Sequence, residues 1–348
     1  MPRGNVKGYR TTSRDIARLA AVSQATVSRA LRNSPLVRPE TRARIETIAR
    51  ELSYQTDRSA SSLRTRRANT LALLLFEESA EDAQINPFFL SMLGHLTRTA
   101  ARRGVDLLVS FQQLSDDWYT DYELSHRADG IILLGYGDYT TSRPKLAELA
   151  AAGGRFVIWG AEAEDLPGRT VRTDNTAGGH LATAHLLRLG RRRIACLGST
   201  SAQWPEFQAR HAGYVRALRE AGVAPDPALA VEAQSSEQAG HAAMSQLLRA
   251  GPAIDALFAA SDLIAMGAIS ALREHGRSVP HDVAVVGFDD ITAAAHFIPP
   301  LTTVQQDTQR AAQILVDNLL RLVGDEAVVS TMIEPRLVVR ASCGAAAH

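Results

Sequence analysis

Amide, hydroxyl and guanidinium side chains are closely spaced near the start of this 348-residue chain. Gln24 and Ala25 are followed by Ser28, Arg29 and Arg32, a spacing that places them on the outward side of one short helix. A glutamine bonds adenine through two hydrogen bonds, an alanine contacts the thymine methyl group, and an arginine bonds a base edge or a phosphate. These residues predict contact with the bases and backbone of a nucleic acid.

The charge distribution favours a polyanionic partner for the same region. Residues 1–67 contain 15 Lys and Arg against 5 Asp and Glu, whereas the remaining 281 residues contain 23 against 32. The net charge of +1 therefore combines a head of +10 with a body of −9. Lys and Arg side chains that neutralise the phosphates of a nucleic acid release its condensed counterions, and this release favours binding. A compact basic segment is therefore suited to bind a phosphate polyanion. A solvated basic tail is the alternative, and the patterned apolar residues of the head argue against it.

Three short helices are predicted to position these side chains. In the first, Ile16, Leu19 and Ala20 have the i, i+3, i+4 spacing of an apolar stripe, and Thr12 or Ser13 can cap it. The other two span residues 24–32, capped by Ser23, and about 39–52, where Arg38 is a poor cap. Their inward residues are predicted to be Val27, Ala30, Leu31, Ile45, Ile48, Ala49 and Leu52. A tight turn between the first two helices is typical of a helix-turn-helix, the alternative being a simple apolar bundle.

The head resembles the DNA-binding head of the lac repressor and gal repressor family. The matching segments are Asp15-Ile16-Ala17, Val22-Ser23, Thr26-Val27-Ser28-Arg29, Arg38-Pro39-Glu40-Thr41-Arg42 and Leu52-Ser53-Tyr54. Ala21 departs from the family, which usually has glycine there; either the turn is strained by about 1 kcal/mol or its geometry differs. The DNA-contacting residues that the resemblance implies in the head are Thr12, Ser23, Gln24, Ala25, Thr26, Ser28, Arg29 and Arg32.

Residues 57–67 resemble the hinge segment of the same family. A helix this short and serine-rich is marginal alone. The resemblance implies that it orders on DNA and pairs with its twin, with Leu63 wedged into the minor groove and Ala60 one turn earlier on the same face. A flexible linker without a DNA role is the alternative.

The chain after Asn69 alternates short apolar strands with helices, which predicts two parallel α/β sheets. One helix is expected over Phe89–Arg103, and the strands are expected at Leu71–Phe76, Val105–Ser110, Gly130–Leu134, Phe156–Trp159, Arg193–Leu197, Ala256–Ala259 and Val283–Val286. The sequence has no GxGxxG, GxxxxGK[ST], HExxH or GxSxG motif. We therefore expect no catalytic residues, no cofactor and no metal site.

The body resembles the effector-binding core of the lac repressor and gal repressor family, which is similar to a periplasmic sugar-binding protein. The matches are Asn86-Pro87-Phe88-Phe89, Ala128-Asp129-Gly130-Ile131-Ile132, Thr173-Asp174-Asn175, His185-Leu186-Leu187-Arg188-Leu189-Gly190, Arg210 with Gly213-Tyr214, Ser261-Asp262, Val279-Pro280, Val285-Val286-Gly287-Phe288-Asp289-Asp290 and Pro299-Pro300-Leu301-Thr302-Thr303-Val304. The implied fold is an α/β two-lobed periplasmic-binding-protein-like core preceded by a small all-α helix-turn-helix domain. The expected boundaries are 1–56 for the head, 57–67 for the hinge, 68–172 with 305–333 for the first lobe, 173–304 with 334–342 for the second, and 343–348 for a tail.

A ligand pocket is expected where the two lobes meet. Arg210 offers a fork of donors and Asp289 offers paired acceptors, which together suit the hydroxyls of a polyol. Phe88, Trp159 and Trp204 are candidates for an apolar wall, and the resemblance adds Asn86, Ser261 and Asp262. The alternatives are a surface arginine, a core phenylalanine and an aspartate that caps the next helix, a role for which Asp290 is better suited. Ser235 stands where relatives often carry an aromatic residue.

The resemblance and the charge pattern predict a homodimer that binds double-stranded, pseudo-palindromic operator DNA. No leucine heptads follow Arg340, no apolar run is long enough to span a membrane, and residues 1–10 do not resemble a signal peptide, so a cytoplasmic dimer is expected. Cys196 and Cys343 are expected to be unpaired.

The expected function is a transcriptional repressor that a small carbohydrate releases from its operator. A regulator co-repressed by a purine or nucleoside is one alternative. A sugar kinase with a DNA-binding head is another, although Leu71–Glu78 lacks the glycine of a phosphate loop.

Overall fold

The computed structural model describes residues 11–31, 33–52, 54, 67–76, 85–114, 116–135, 137–161 and 169–345. The chain divides into two compact units, a head of residues 1–67 and a body of residues 68–348.

The head contains three helices, α1 (Ser13–Leu19), α2 (Gln24–Ala30) and α3 (Pro39–Glu51). Their core is formed by side chains that are under 10% exposed: Ile16, Ala17, Ala20, Val27, Ala30, Val37, Ile45 and Ala49. Leu19 was expected inside but is 56% exposed. The buried arc of α1 is centred near Ala20 and takes in Ala17, so Leu19 lies about 100° away from it around the helix. The three predicted helices are confirmed, although α2 ends two residues earlier than expected.

The turn between α1 and α2 contains the strained alanine. Ala21 has a φ of 48°. A left-handed alanine costs about 1 kcal/mol, so the strained alternative is the one the structure adopts. The next residue closes the turn, since the Val22 N–H donates to the Ala17 carbonyl at 3.0 Å. Ser23 then caps α2 by accepting a hydrogen bond from the Thr26 N–H at 3.1 Å.

The first sheet of the body has six parallel strands in the order β11-β5-β4-β3-β1-β2. Their bounds are β1 Thr70–Leu75, β2 Asp106–Phe111, β3 Ile131–Leu134, β4 Phe156–Trp159, β5 Thr170–Thr173 and β11 Thr331–Ile333. The helices of this lobe are α4 (Pro87–Arg102), α5 (Tyr139–Ala151) and α11 (Thr308–Val323), with a π-helical turn at Tyr119–Leu124 and a 3-10 turn at Gln112–Leu114. Strand β2 begins one residue later than expected because the Val105 N–H still closes the end of α4, donating to the Ala100 carbonyl.

The second sheet has the order β12-β10-β9-β8-β6-β7, and only β12 runs antiparallel to its neighbour β10. Its strands are β6 Ile194–Leu197, β7 Ala230–Val231, β8 Ala256–Ala259, β9 Ala284–Asp289, β10 Thr302–Gln305 and β12 Arg336–Val338. The helices are α6 (Asn175–Arg188), α7 (Pro205–Glu220), α8 (Glu237–Ala250), α9 (Asp262–Glu274) and α10 (Thr292–His296), with 3-10 turns at Pro227–Leu229 and Ala341–Cys343.

Alternating strand residues bury the two faces of the second sheet. Cys196, Phe258 and Val286 join the cluster that contains residues of α6 and α7. Leu257 and Val285 join the cluster that contains residues of α8 and α9. Because successive side chains in a strand point to opposite faces, this sheet is covered by helices on both sides, and its inner strands β6 and β8 are apolar throughout.

The chain passes between the two sheets three times. It leaves the first sheet after Thr173, returns to it after Gln305, and crosses again between Ile333 and Arg336. These three crossing segments therefore connect the lobes of one α/β body. In the described part of the chain, no helix combines the length and the apolar character that a membrane span needs.

Helices α6 and α7 cross at two glycines. A Cβ added to Gly179 would meet the carbonyl of Arg210, and one added to Gly213 would meet the carbonyl of Thr176. Both obstacles are backbone atoms, which cannot move without displacing a helix. The small residues at this crossing therefore fix the position of the Arg210 backbone.

We predict that Gly179→Ala lowers the free energy of unfolding of the body by about 1–3 kcal/mol, because the added methyl group overpacks the helix crossing. Urea unfolding followed by tryptophan fluorescence measures this loss, since the three tryptophans of the chain all lie in the body. The control is Gly94→Ala in α4, where an added Cβ meets nothing within 4 Å. This control should gain about 0.5–1 kcal/mol from helix propensity. If Gly179→Ala left the free energy of unfolding unchanged, the two helices would not be tightly packed at this crossing.

Candidate functional site

The exposed side of α2 carries the predicted base-reading residues. Gln24, Ala25 and Arg29 are exposed, while Thr26 and Ser28 are half-buried. The Gln24 side chain is held in place, because its Nε2 donates to the Ser13 Oγ at 2.7 Å. One N–H and the carbonyl oxygen of this amide stay available, and these are the two groups that pair with adenine. The sequence prediction missed this role for Ser13, which pairs with Gln24 across the turn.

Other head residues serve the structure of the head itself. The exposed Thr12 donates its backbone N–H and its hydroxyl to the Asp15 carboxylate, at 2.9 and 2.7 Å. Arg42 donates to the Ser34 carbonyl and Arg44 to the Ala20 carbonyl, so these two guanidinium groups hold turns. Three of the predicted DNA contacts lie outside the described residues: Arg32, Ala60 and Leu63.

Arg210 is the central charged group of the body. It lies on α7 and is 5% exposed. Its Nε donates to the Asn175 Oδ1 at 2.8 Å and its Nη1 donates to the Ala260 carbonyl at 2.5 Å. The guanidinium carbon lies 3.8 Å from the centroid of the Phe288 ring. Burial lowers the pKa of Arg210, but arginine stays charged at any physiological pH, so this is a buried cation.

Asp289, at the end of β9, is the counterion of Arg210. The Asp289 Oδ1 lies 3.6 Å from the Arg210 Nη1 and accepts a hydrogen bond from the Gln306 Nε2 at 2.6 Å. Burial raises the pKa of Asp289 to about 6, although Arg210 and the Gln306 hydrogen bond oppose this rise. Neither the Arg210 Nη2 nor the Asp289 Oδ2 has a hydrogen-bond partner among the residues that the structure describes. One donor group and one acceptor atom of the pair are therefore open to a ligand.

The backbone at the end of β9 is strained. Asp289 has a φ of 116° and Asp290 a φ of 55°. Two consecutive non-glycine residues in this region cost about 1–3 kcal/mol each and are typical of functional sites. The Asp290 carboxylate holds the turn by accepting hydrogen bonds from Arg340 and Gln305, both at 2.7 Å. The helix-capping roles considered for Asp289 and Asp290 are therefore wrong, because α10 begins after Ile291 without a side-chain cap.

Asp262 forms hydrogen bonds within the protein through both of its carboxylate oxygens. Its Oδ2 accepts from the Ile291 N–H at 2.9 Å and its Oδ1 from the Thr303 hydroxyl at 2.5 Å. Burial, and then the charge of Asp289, raise the pKa of Asp262 well above its usual value. Asp262 thus anchors the turn that carries Asp289.

Ser261 and Asn86 are joined through a serine from the second lobe. The Ser235 hydroxyl donates to the Ser261 Oγ at 3.0 Å, and the Asn86 Nδ2 donates to the Ser235 Oγ at 3.4 Å. Asn86 belongs to the first lobe, where it also caps α4 by accepting from the Phe88 N–H. This chain of three side chains crosses the cleft between the lobes.

A second set of contacts joins the lobes at the N-terminal end of α7. The Gln203 Nε2 donates to the Asp138 Oδ2 at 2.9 Å, and the Tyr139 N–H donates to the Gln203 carbonyl at 3.0 Å. The Ala161 N–H donates to the Glu206 Oε1 at 2.9 Å. The lobes are therefore in direct contact on two sides of the Arg210 cluster.

The aromatic candidates divide into two groups. Phe88 and Trp159 are 6% and 7% exposed, belong to a core cluster and have ring centroids 6.0 Å apart. Trp204 lies immediately before α7 and lines a cavity of about 530 Å³. Phe207 lines the same cavity and lies 5.0 Å from the Arg210 guanidinium carbon. Trp204 is therefore the candidate with ring surface open to a ligand.

Sequence analysis missed Asn175, Gln306 and Ser235 as parts of this site. Asn175 was recognised only as part of a segment that resembles the family, and Gln306 was assigned no role, although it lies one residue after β10. Each of the three is hydrogen-bonded to a residue that the sequence did identify: Asn175 to Arg210, Gln306 to Asp289, and Ser235 to Ser261 and Asn86. Asn175 lies two residues after β5 and Ser235 four residues after β7. These positions were the available signal, because ligand sites of open α/β sheets lie at carboxyl ends of strands.

The chain matches two family models. Residues 12–57 match the model for bacterial regulatory proteins of the lacI family, and residues 183–343 match that for a periplasmic binding protein-like domain. The chain is 33% identical over 343 residues to the HTH-type transcriptional regulator CelR of Thermobifida fusca, covering 96% of this chain and 98% of that protein.

Two solved structures are similar over nearly the full length. A complex of the transcriptional regulator CelR with cellobiose aligns with a TM-score of 0.72 and 32% identity, over 96% of this chain and 100% of that one. The lac repressor dimer bound to operator and the anti-inducer ONPF aligns with a TM-score of 0.81 and 26% identity, over 97% and 100%.

The raised pKa of Asp289 predicts a pH-dependent loss of stability. Between the pKa of 3.8 expected in the unfolded chain and about 6 in the folded protein, the folded state binds the additional proton. Stability contributed by Asp289 is therefore present below pH 4 and lost as the pH rises through 6, by at most about 1.4 kcal/mol per pH unit. The Asp289→Asn variant should not lose this stability as the pH rises, because its amide does not titrate.

The measurement is urea unfolding of the wild type and of Asp289→Asn at several pH values from 4 to 8. The unfolding free energy of the wild type minus that of the variant should decrease up to about pH 6 and then level off. Asp116→Asn, which changes an exposed aspartate, is the matched control. A difference for Asp289→Asn that is constant with pH would contradict the raised pKa.

Proposed function

The chain belongs to the lacI family of bacterial regulatory proteins, and from this premise we propose that it is a transcriptional repressor released from its operator by a small carbohydrate. It binds pseudo-palindromic double-stranded DNA as a homodimer through the helix-turn-helix head. The effector binds between the two lobes of the body. The relatives are transcription regulators, and we propose no enzymatic activity for this chain.

The observation that carries the effector site is the partly unpaired Arg210 and Asp289. The Arg210 Nη2 can donate to hydroxyl oxygens, and the Asp289 Oδ2 can accept from hydroxyl hydrogens. A carbohydrate offers both kinds of group on adjacent carbons, so one sugar ring can satisfy both residues. Each such charge-assisted hydrogen bond is stronger than one between neutral groups. Trp204 and Phe207 supply apolar surface beside the pair.

The contacts of this pair with the crossing segments provide a route from effector to DNA. Arg210 holds Asn175, which follows the first crossing, and Asp289 holds Gln306, which follows β10 at the second. A ligand that repositions either charge changes the bonds that set the angle between the lobes. Effector and DNA then favour different lobe arrangements, which is the condition for allosteric coupling.

We propose that the functional segments of the chain have the boundaries expected from the sequence. We assign residues 1–56 to DNA reading and 57–67 to the hinge, in which Leu63 and Ala60 would enter the minor groove. Residues 68–172 with 305–333 form the first lobe, residues 173–304 with 334–342 the second, and 343–348 the tail. We also propose a cytoplasmic location, because a bacterial regulator must reach the DNA that it binds.

A thermal-shift screen of the wild-type protein tests the effector class. A ligand that binds only the folded state raises its stability by RT ln(1 + [L]/Kd). Cellobiose and other mono- and disaccharides form one arm, and nucleosides and purines form the other. Stabilisation by a saccharide together with weaker operator binding supports the proposal. Stabilisation by a purine or nucleoside with tighter operator binding would replace it with the co-repressed alternative.

We predict that Gln24→Ala relaxes base preference at one or two positions of each half-site, at a cost of about 1–3 kcal/mol on the preferred sequence, because the bidentate contact is lost. Selection from a randomised operator library measures this preference. Gln238→Ala, which removes an exposed glutamine of α8, is the matched control and should select the wild-type sequence. An unchanged preference for Gln24→Ala would exclude Gln24 from base reading.

We further predict that Arg210→Ala and Asp289→Ala each abolish the response to cellobiose or another active saccharide, while both variants still bind the operator without ligand. The charges that bind the sugar lie in the body, and the basic residues that bind DNA lie in the head. Titration of the saccharide against the protein bound to labelled operator measures the response. Arg216→Ala removes an exposed arginine from the same helix and should respond normally. Variants at positions 210 and 289 that respond at the wild-type concentration would place the pocket elsewhere.

A further inference from the structure

The cavity beside Trp204 is lined by residues that directly follow β7, the edge strand of the second sheet. Its volume is about 530 Å³, within the range of small-molecule sites. Phe207 and Ser235 form part of its wall. Because Phe207 also contacts Arg210, and Ser235 also bonds Ser261, the cavity adjoins the proposed effector site. We call this cavity the β7 groove.

The α8 side of the β7 groove consists of small side chains. Ala239, Ala242 and Ala243 have helical spacing and face the groove together, and Gln246 continues the row one turn later. Larger side chains at these positions would fill the space. Ser235, which also lines the groove and bonds Ser261 next to the Arg210 cluster, is likewise small.

The opposite side of the β7 groove combines aromatic rings with hydrogen-bonding groups. Trp204 and Phe207 provide flat apolar surface, and Ser199, Ser201 and Gln234 provide hydroxyl and amide groups. Apolar rings that cover one face of a ligand, with polar groups around its edge, suit a pyranose ring, whose faces are C–H groups and whose edge is hydroxyls.

Glu232 adds a charged acceptor to this edge. Burial opposes the ionisation of Glu232, but hydrogen bonds from the Thr200 N–H, the Thr200 hydroxyl and Ser199 lower its pKa below the usual value. The carboxylate accepts from Thr200 through its Oε1, at 2.9 and 2.8 Å. An ionised, oriented carboxylate beside a polar groove accepts hydrogen bonds from hydroxyl groups rather than binding an anion.

We propose that the β7 groove binds the second sugar unit of an effector whose first unit is held by Arg210 and Asp289. The ligand class is then a disaccharide or longer saccharide, and a monosaccharide fills only part of the site. This inference rests on the proposed carbohydrate-released function. Residues of α8 and Trp204 then determine the length of the saccharide that binds.

Isothermal titration calorimetry of the full-length protein tests this assignment with two probe series, glucose, cellobiose and cellotriose, and glucose, maltose and maltotriose. We expect the disaccharide of one series to bind at least about tenfold more tightly than glucose, which corresponds to about 1.4 kcal/mol. Ala242→Phe places a ring in the groove and should bring that disaccharide to within about threefold of glucose, without changing the affinity for glucose.

Ala250→Phe is the matched control, because Ala250 is an exposed alanine at the end of the same helix and does not line the groove. Its affinities for glucose and the disaccharide should equal those of the wild type. Equal binding of glucose and both disaccharides by the wild type would overturn the groove assignment and leave the proposed function standing. The same conclusion follows if Ala242→Phe weakens glucose and disaccharide equally. Absence of binding to every sugar of both series would overturn the groove assignment and count against the carbohydrate class itself.

Discussion

The buried guanidinium of Arg210 is the constraint around which the body is organised. A charge removed from water is tolerated only when it is paired and hydrogen-bonded. Here Asn175, the Ala260 carbonyl, Asp289 and the Phe288 ring meet that requirement, and they come from three different segments of the chain. Two of them are tied to segments that cross between the lobes. A ligand that bound at Arg210, as we propose, would therefore act directly on the residues that connect the lobes.

Much of the fold follows from local sequence patterns. Apolar strands such as Phe156–Trp159 and Ala256–Ala259 were predicted with their observed bounds, because buried parallel strands are continuous apolar runs. The helices of the head follow from caps and i, i+3, i+4 spacing. Arg210 and Asp289 were both assigned to one ligand site, from the family resemblance and from the complementary chemistry of donors and acceptors. The ion pair between them was not predicted.

The features that sequence analysis missed depend on non-local contacts. Leu19 was misplaced because a helix of two turns shows too few residues to orient its buried arc. Asp290 was considered as a cap, but its partner Arg340 lies 50 residues later and no local pattern indicates it. The pairing of Ser13 with Gln24 likewise depends on the turn at Ala21, which brings two helix starts together. Hydrogen bonds of this kind are set by the fold and cannot be read from spacing.

The central claim is that sugar binding at Arg210 and operator binding by the head are coupled through the lobes. Thermodynamic linkage requires this coupling to be reciprocal. The most direct test is to measure operator affinity with and without saturating saccharide, and saccharide affinity with and without saturating operator, in one buffer. We expect both affinities to fall by the same factor, about 5- to 150-fold. A saccharide that binds with the same affinity to the free and the operator-bound protein would contradict the proposed coupling.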